Sequence, residues 1–179
     1  ENSFYCIDEA HHLPKKALSR FAAEHSWNIA VWTLEKLPQL TGKIAALTDK
    51  AELANLADEA ATSLLDSLHE WQFHLAEEPS LSLGSSENDR RKHNEPTWLW
   101  EDGKIPEGLE TTVSNTAIAA RSLLKHVIGL NDALSAARRE KEQDGALLDR
   151  LTSEFGLFIA RIEQISAVWD LLSTVPIEG

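Results

Sequence analysis

The sequence predicts an all-α fold, a bundle of long antiparallel helices with an orphan N-terminal strand and a short hairpin between the middle helices. Three observations predict it. Apolar residues recur at steps of three and four along most of the chain, the spacing that gathers them on one helix face. The links between these stretches are short apart from one polar break, and short links between long helices make antiparallel neighbours. One brief apolar run, Phe4-Tyr5-Cys6-Ile7, stands outside this pattern and reads as a buried strand.

That strand stops at Asp8-Glu9-Ala10-His11-His12-Leu13-Pro14, after which the spacing turns helical. Pro14 suits a first helical turn, where its missing N–H removes no bond, and Leu18, Phe21 and Ala22 give that helix an apolar face. Ser26 is the expected N-cap of a second helix carrying Trp27, Val31 and Leu34. Pro38 should break or kink it, because a proline inside a helix removes a hydrogen bond and crowds the preceding turn. The spacing resumes at Leu37, Leu40, Ile44 and Leu47, and Asp49 or Lys50 opens a third helix. Its stripe is Leu53, Ala57, Ala60, Leu64, Leu68, Trp71 and Leu75.

The polar break runs over about 79–96, through Pro79, Ser80, Ser82, Gly84, Ser85 and Ser86 to Arg90-Arg91-Lys92-His93. So little apolar surface cannot offset the entropy of ordering, and an exposed, mobile loop is expected. Thr97 to Pro106 follows, where Asp102-Gly103 between apolar residues suggests a tight hairpin. Two long helices close the chain. The first runs from about Glu107 to Lys141, with Leu109, Val113, Ala117, Ala120, Leu124, Val127 and Leu134 inward. Gly129 inside it costs about 1 kcal/mol relative to alanine and suits a bend or a close contact. Beyond Gly145 the last helix has the cleanest seam, Leu148, Leu151, Phe155, Phe158, Ile162, Ile165, Trp169 and Leu172. Its alternating steps are those of a coiled coil.

Composition narrows the function. The chain has 179 residues, a length that suits one domain. The formal charge of −12 argues against a broad nucleic-acid surface, since phosphate backbones reward clustered Lys and Arg. The single cysteine, Cys6, excludes internal disulfides and any Cys-rich cluster within the chain, and reads as a small buried hydrophobe. No signal peptide and no apolar run near membrane length occur, so the expectation is a soluble cytoplasmic protein. The chain contains no methionine and opens on Glu1 almost directly in a strand that has no partner in view. Parallel strands need long crossovers to their neighbours. An excised piece of a larger protein is therefore expected.

A strand delivering Asp8-Glu9 to a sheet edge is the arrangement of a nucleotide-hydrolysing motor, because ligands in open α/β sheets sit at strand carboxyl ends. In the P-loop class an aspartate here helps hold Mg²⁺ against the phosphates. Its neighbour would polarise the attacking water. The phosphate cradle itself, Gly-x-x-x-x-Gly-Lys-Ser/Thr, occurs nowhere in the chain, which leaves half of a site.

The Asp-Glu-Ala-His-His-Leu-Pro string, followed by a long helical region, resembles the XPD/DinG family of superfamily-two DNA helicases, nearest its bacterial DinG branch. The motif itself covers about a dozen residues, Phe4 to Pro14. The resemblance implies that 1–14 is a remnant of the first helicase domain and 15–179 an all-helical Arch domain. It implies Asp8 as the Mg-ATP carboxylate, Glu9 as the water-activating residue and His11 as the coupler of nucleotide state to other motifs. ATP and Mg²⁺ would be the parent's cofactors. An iron–sulfur cluster occurs in some family members upstream of this motif, so Cys6 would not be a ligand. The implied activity is ATP-driven 5′-to-3′ translocation on single-stranded DNA with duplex unwinding. The partners are single-stranded DNA and the remaining helicase domains, with no membrane and DNA repair as the setting; the fragment alone would be inactive.

Other charged and aromatic residues have an ordinary reading beside a functional one. Arg90, Arg91 and Lys92 with Trp98 and Trp100 form the local candidate for DNA contact, since cations track phosphates while aromatics stack bases. A solvated charge run, with the tryptophans packed on the bundle, is the ordinary alternative. Lys15, Lys16 and Arg20 read either as facing DNA or the motor or as an ordinary solvated run, the latter the commoner case. Arg138, Arg139 and Lys141 suit the negative end of a helix dipole. His69 and His74 do not share a helix face, whereas Glu70 and His74 do, and one such pair is not a zinc site. A purely helical protein-interaction module, its Asp-Glu-Ala-His string accidental, remains the alternative reading.

Overall fold

The computed structural model describes residues 26–77, 105, 108–140 and 145–174. Within them the chain forms four helices, α1 (Trp27–Thr48), α2 (Ala51–Glu77), α3 (Glu110–Glu140) and α4 (Gly145–Ser173), and no strand. The all-α expectation holds for these residues. The predicted strand at 4–7, the helix after Pro14, the loop at 79–96 and the hairpin near 98–105 fall outside them, Ile105 excepted.

Local chemistry sets the helix ends. Ser26 is extended, and its hydroxyl accepts from the Ile29 amide at 3.4 Å, so it caps α1 as expected. Asp49 closes α1 in the left-handed region at φ 55°, a conformation that aspartate tolerates better than most side chains. The Lys50 carbonyl then accepts from the Ala54 amide and starts α2. Gly108, at φ 90°, turns the chain into α3, and its amide donates to Glu110 Oε2 at 2.9 Å.

Pro38 does not break α1. The helix is continuous from Trp27 to Thr48, so of the expected break or kink the break is corrected. Pro38 lies on the exposed side, so its ring meets solvent. The lost bond is the one to the Leu34 carbonyl, while Leu34, Leu37, Leu40 and Ile44, from both sides of the proline, stay buried in the core. Beside it, the fully buried Thr41 donates its hydroxyl to Asp58 Oδ1 at 2.7 Å, tying α1 to α2.

The two-residue link at 49–50 and the four-residue link at 141–144 make α1/α2 and α3/α4 antiparallel pairs. α2 and α3 are antiparallel as well: the start of α2 meets the later part of α3 where Leu53 approaches Gly129. The predicted stripes form one core. Every residue of the α4 seam from Leu148 to Trp169 is buried, and Leu172 is half-buried. On α2, Ala57, Ala60, Leu64, Leu68 and Trp71 are buried as expected, with Leu53 partly so. On α3 the inner face is wider than expected. Leu123 and Leu130 are fully buried, whereas Leu124 is half-buried against the core.

Candidate functional site

The connectivity places one end of the bundle apart from the other. α1 begins, α2 ends, α3 begins and α4 ends at the same pole, because successive helices are antiparallel. Segments 1–25 and 78–104 are therefore both joined to that pole. Asp8, Glu9 and His11, and the candidate DNA contacts Arg90, Arg91, Lys92, Trp98 and Trp100, lie on these segments and outside the described residues, as do Cys6, Lys15, Lys16, Arg20 and Lys141.

The pole is built as a firm platform. Trp71 near the end of α2 and Trp169 near the end of α4 pack with ring centroids 5.3 Å apart at 43°. Tilted, offset rings of this kind let the positive edge of one meet the negative face of the other. Leu109 is buried at the start of α3. Arg121 of α3 donates through Nε to Asp170 of α4 and through Nη2 to Ser173 Oγ at 3.3 Å. Farther along the same helix pair, Arg138 pairs with Asp149. This arginine thus stitches the α3–α4 hairpin rather than serving only the helix dipole.

Glu70 and His74 approach to 3.7 Å on the exposed side of α2, one turn apart. Among the described residues no three His, Cys, Asp or Glu side chains gather in a manner able to hold an ion. The open surface of α2 is acidic, with Asp58, Glu59, Asp66 and Glu70 lining a shallow depression. A second shallow groove between α2 and α3 is lined by Leu56, Ser63, Ser67, Ile118, Ser122 and His126.

On the other side of the bundle, Trp32 of α1 stands 45% exposed, with its ring 5.7 Å from that of Phe158. The Arg161 guanidinium lies 5.1 Å from its centroid. Periodicity passes this pair over, because neither residue belongs to an apolar stripe. The signal available was a tryptophan lying off the stripe of its own helix.

No protein-family model and no solved structure matches the chain. Among curated proteins it is similar to the ATP-dependent DNA helicase DinG of Photobacterium profundum, with 29% identity over 174 residues. The match covers 97% of this chain and 24% of that protein, so the chain spans about a quarter of the length of its relative. The chain is thus homologous to one portion of a helicase-like protein. No helix among the described residues is long and apolar enough to cross a membrane.

Proposed function

We propose that this chain is the portion of a cytosolic ATP-dependent 5′-to-3′ DNA helicase that starts at the second helicase motif and continues through a helical Arch-like domain. The observation carrying this reading is the similarity to a DNA helicase along 97% of the chain, far beyond the dozen residues of the motif. A helical interaction module with an accidental Asp-Glu-Ala-His string offers no account of that extent. In the parent, Asp8 holds the magnesium of Mg-ATP, Glu9 activates the attacking water, and His11 passes the nucleotide state to the other motifs. The phosphate loop comes from elsewhere in the parent, so this chain alone is inactive. The bundle serves as a rigid wall of the passage for one DNA strand. The single pole that receives segments 1–25 and 78–104 supports this reading, because a bundle anchored at one end acts as a lever on its motor.

The test is Glu9→Gln in the full-length parent. The amide keeps the shape and loses the basic oxygen, so nucleotide binding persists while hydrolysis falls by about 10²–10⁴-fold. Unwinding falls with it. Near-normal hydrolysis by this variant overturns the assignment of Glu9.

A further inference from the structure

Among the described residues the Trp32–Arg161 pair differs in setting from the other interhelical arginines. Arg121 and Arg138 each spend their guanidinium on a carboxylate of the neighbouring helix. Arg161 has no carboxylate partner among the described residues and instead stacks on an exposed indole. Its central carbon lies over the ring, 5.1 Å from the centroid, and a guanidinium carries all its N–H donors in its own plane.

Helical register adds charge to the same seam. At 3.6 residues per turn, Ile29, Trp32, Lys36 and Lys43 of α1 fall within a sector of about 60°. On α4, Arg150 and Arg161 are about 20° apart. Trp32 meets Phe158 and Arg161 across the α1–α4 contact, so the two sectors adjoin it. Lys36, Lys43 and Arg150 are all exposed. Of the nine Lys and Arg among the described residues, the seam thus gathers four, against Glu154 within the same α4 sector and Glu35 beside the α1 sector. The acidic residues of α2 face a different surface. In a chain of charge −12, a strip with this balance is local and directional.

We propose that the α1–α4 seam is a binding site for single-stranded nucleic acid, with a base stacked at Trp32–Arg161 and the phosphates followed by Lys36, Lys43 and Arg150. This rests on the helicase reading above and specifies which face of the bundle a strand touches. The chemistry suits a single strand, because only unpaired bases offer a free face to an indole, while a spaced row of cations tracks the backbone. A duplex keeps its bases stacked and gives the aromatic nothing to receive.

The experiment titrates the 179-residue chain against fluorescently labelled oligo(dT), followed by anisotropy over a series of salt concentrations. Trp32→Ala, Arg161→Gln and the pair Lys43→Gln/Arg150→Gln are compared with Lys125→Gln on α3, and circular dichroism verifies that each stays helical. Trp32→Ala weakens binding by about 5- to 150-fold, the range for loss of one stacked base. The Lys43/Arg150 pair lowers the slope of log affinity against log salt by about 1.4, two phosphate contacts on a single strand. Lys125→Gln leaves affinity unchanged. The proposal is overturned if the chain does not bind oligo(dT), if the seam variants bind as the unaltered chain does, or if polyglutamate competes as well as the oligonucleotide. Unwinding by the unaltered parent separates the two readings. A parent that unwinds DNA, with seam variants of normal affinity, sinks the seam alone; a parent whose ATPase ignores DNA sinks the helicase reading.

Discussion

Gly129 is a position where one absent methyl group lets two helices approach. A Cβ placed there would meet Leu53 Cδ2 at 3.2 Å, across the α2–α3 contact. The sequence reading of a helix-weakening glycine suited to close contact is therefore met, and the neighbour involved is identified. Two effects oppose each other in Gly129→Ala. Helix propensity favours alanine by about 1 kcal/mol. Against it, Leu53 must yield by a few tenths of an ångström, but it is only half-buried and its tip is free to turn. The expected result is a net gain of about 0.5 kcal/mol in urea unfolding, half of the propensity difference. A loss larger than the propensity gain means that the helices are fixed at this separation and that Leu53 has no alternative rotamer.

Among the helices, α4 was legible in the sequence almost residue for residue, α3 less well, and α1 with one wrong break. The reason is the number of neighbours. α4 packs chiefly on α3 and needs one narrow stripe, which a regular seam announces. α3 lies against α2, α4 and α1, so its buried sector widens to take in Leu123 and Leu130 together with Thr112, Thr116 and Ala119. A single stripe misses such a face. In α1, proline propensity pointed to a break, and tertiary packing on the buried face overrode it. Pro38→Ala tests that account. It restores the amide that bonds the Leu34 carbonyl and adds no volume to the core, because Pro38 is exposed. Removing an interior proline is worth up to about 3 kcal/mol, of which the relaxed helix has already recovered part. A gain of about 1–2 kcal/mol is expected, raising Tm by about 2–8 °C for a chain of this length. An unchanged or lower Tm means that the proline is preferred where it stands, its rigidity in the unfolded chain outweighing the missing bond.

For the molecule as a whole, the nucleotide-side chemistry is a reading of residue types alone, on residues outside those the structure describes. Asp8, Glu9 and His11 were readable as a motif because two carboxylates after an apolar run carry their own chemical meaning. Trp32 and Arg161 were not, since the sequence marks only a tryptophan off its helix's stripe and not the partner it meets on another helix. What joins the two is the chemistry that the chain lacks. In the proposed helicase, Asp8 grips magnesium and Glu9 orients water against a triphosphate held elsewhere, by the backbone amides and lysine of a phosphate loop whose pattern this sequence does not contain. Phosphoryl transfer depends almost wholly on positioning and charge neutralisation, so a chain without the phosphate cradle has neither the bound nucleotide nor the aligned in-line attack. Purified chain incubated with Mg-ATP should accordingly release no phosphate above the buffer rate, and single-stranded DNA should not change this even where it binds. The full-length parent assayed in parallel should turn over ATP and accelerate when DNA is added. Steady turnover by the isolated chain, abolished by Glu9→Gln, would mean that the motif completes its site within these residues and that the half-site argument is wrong.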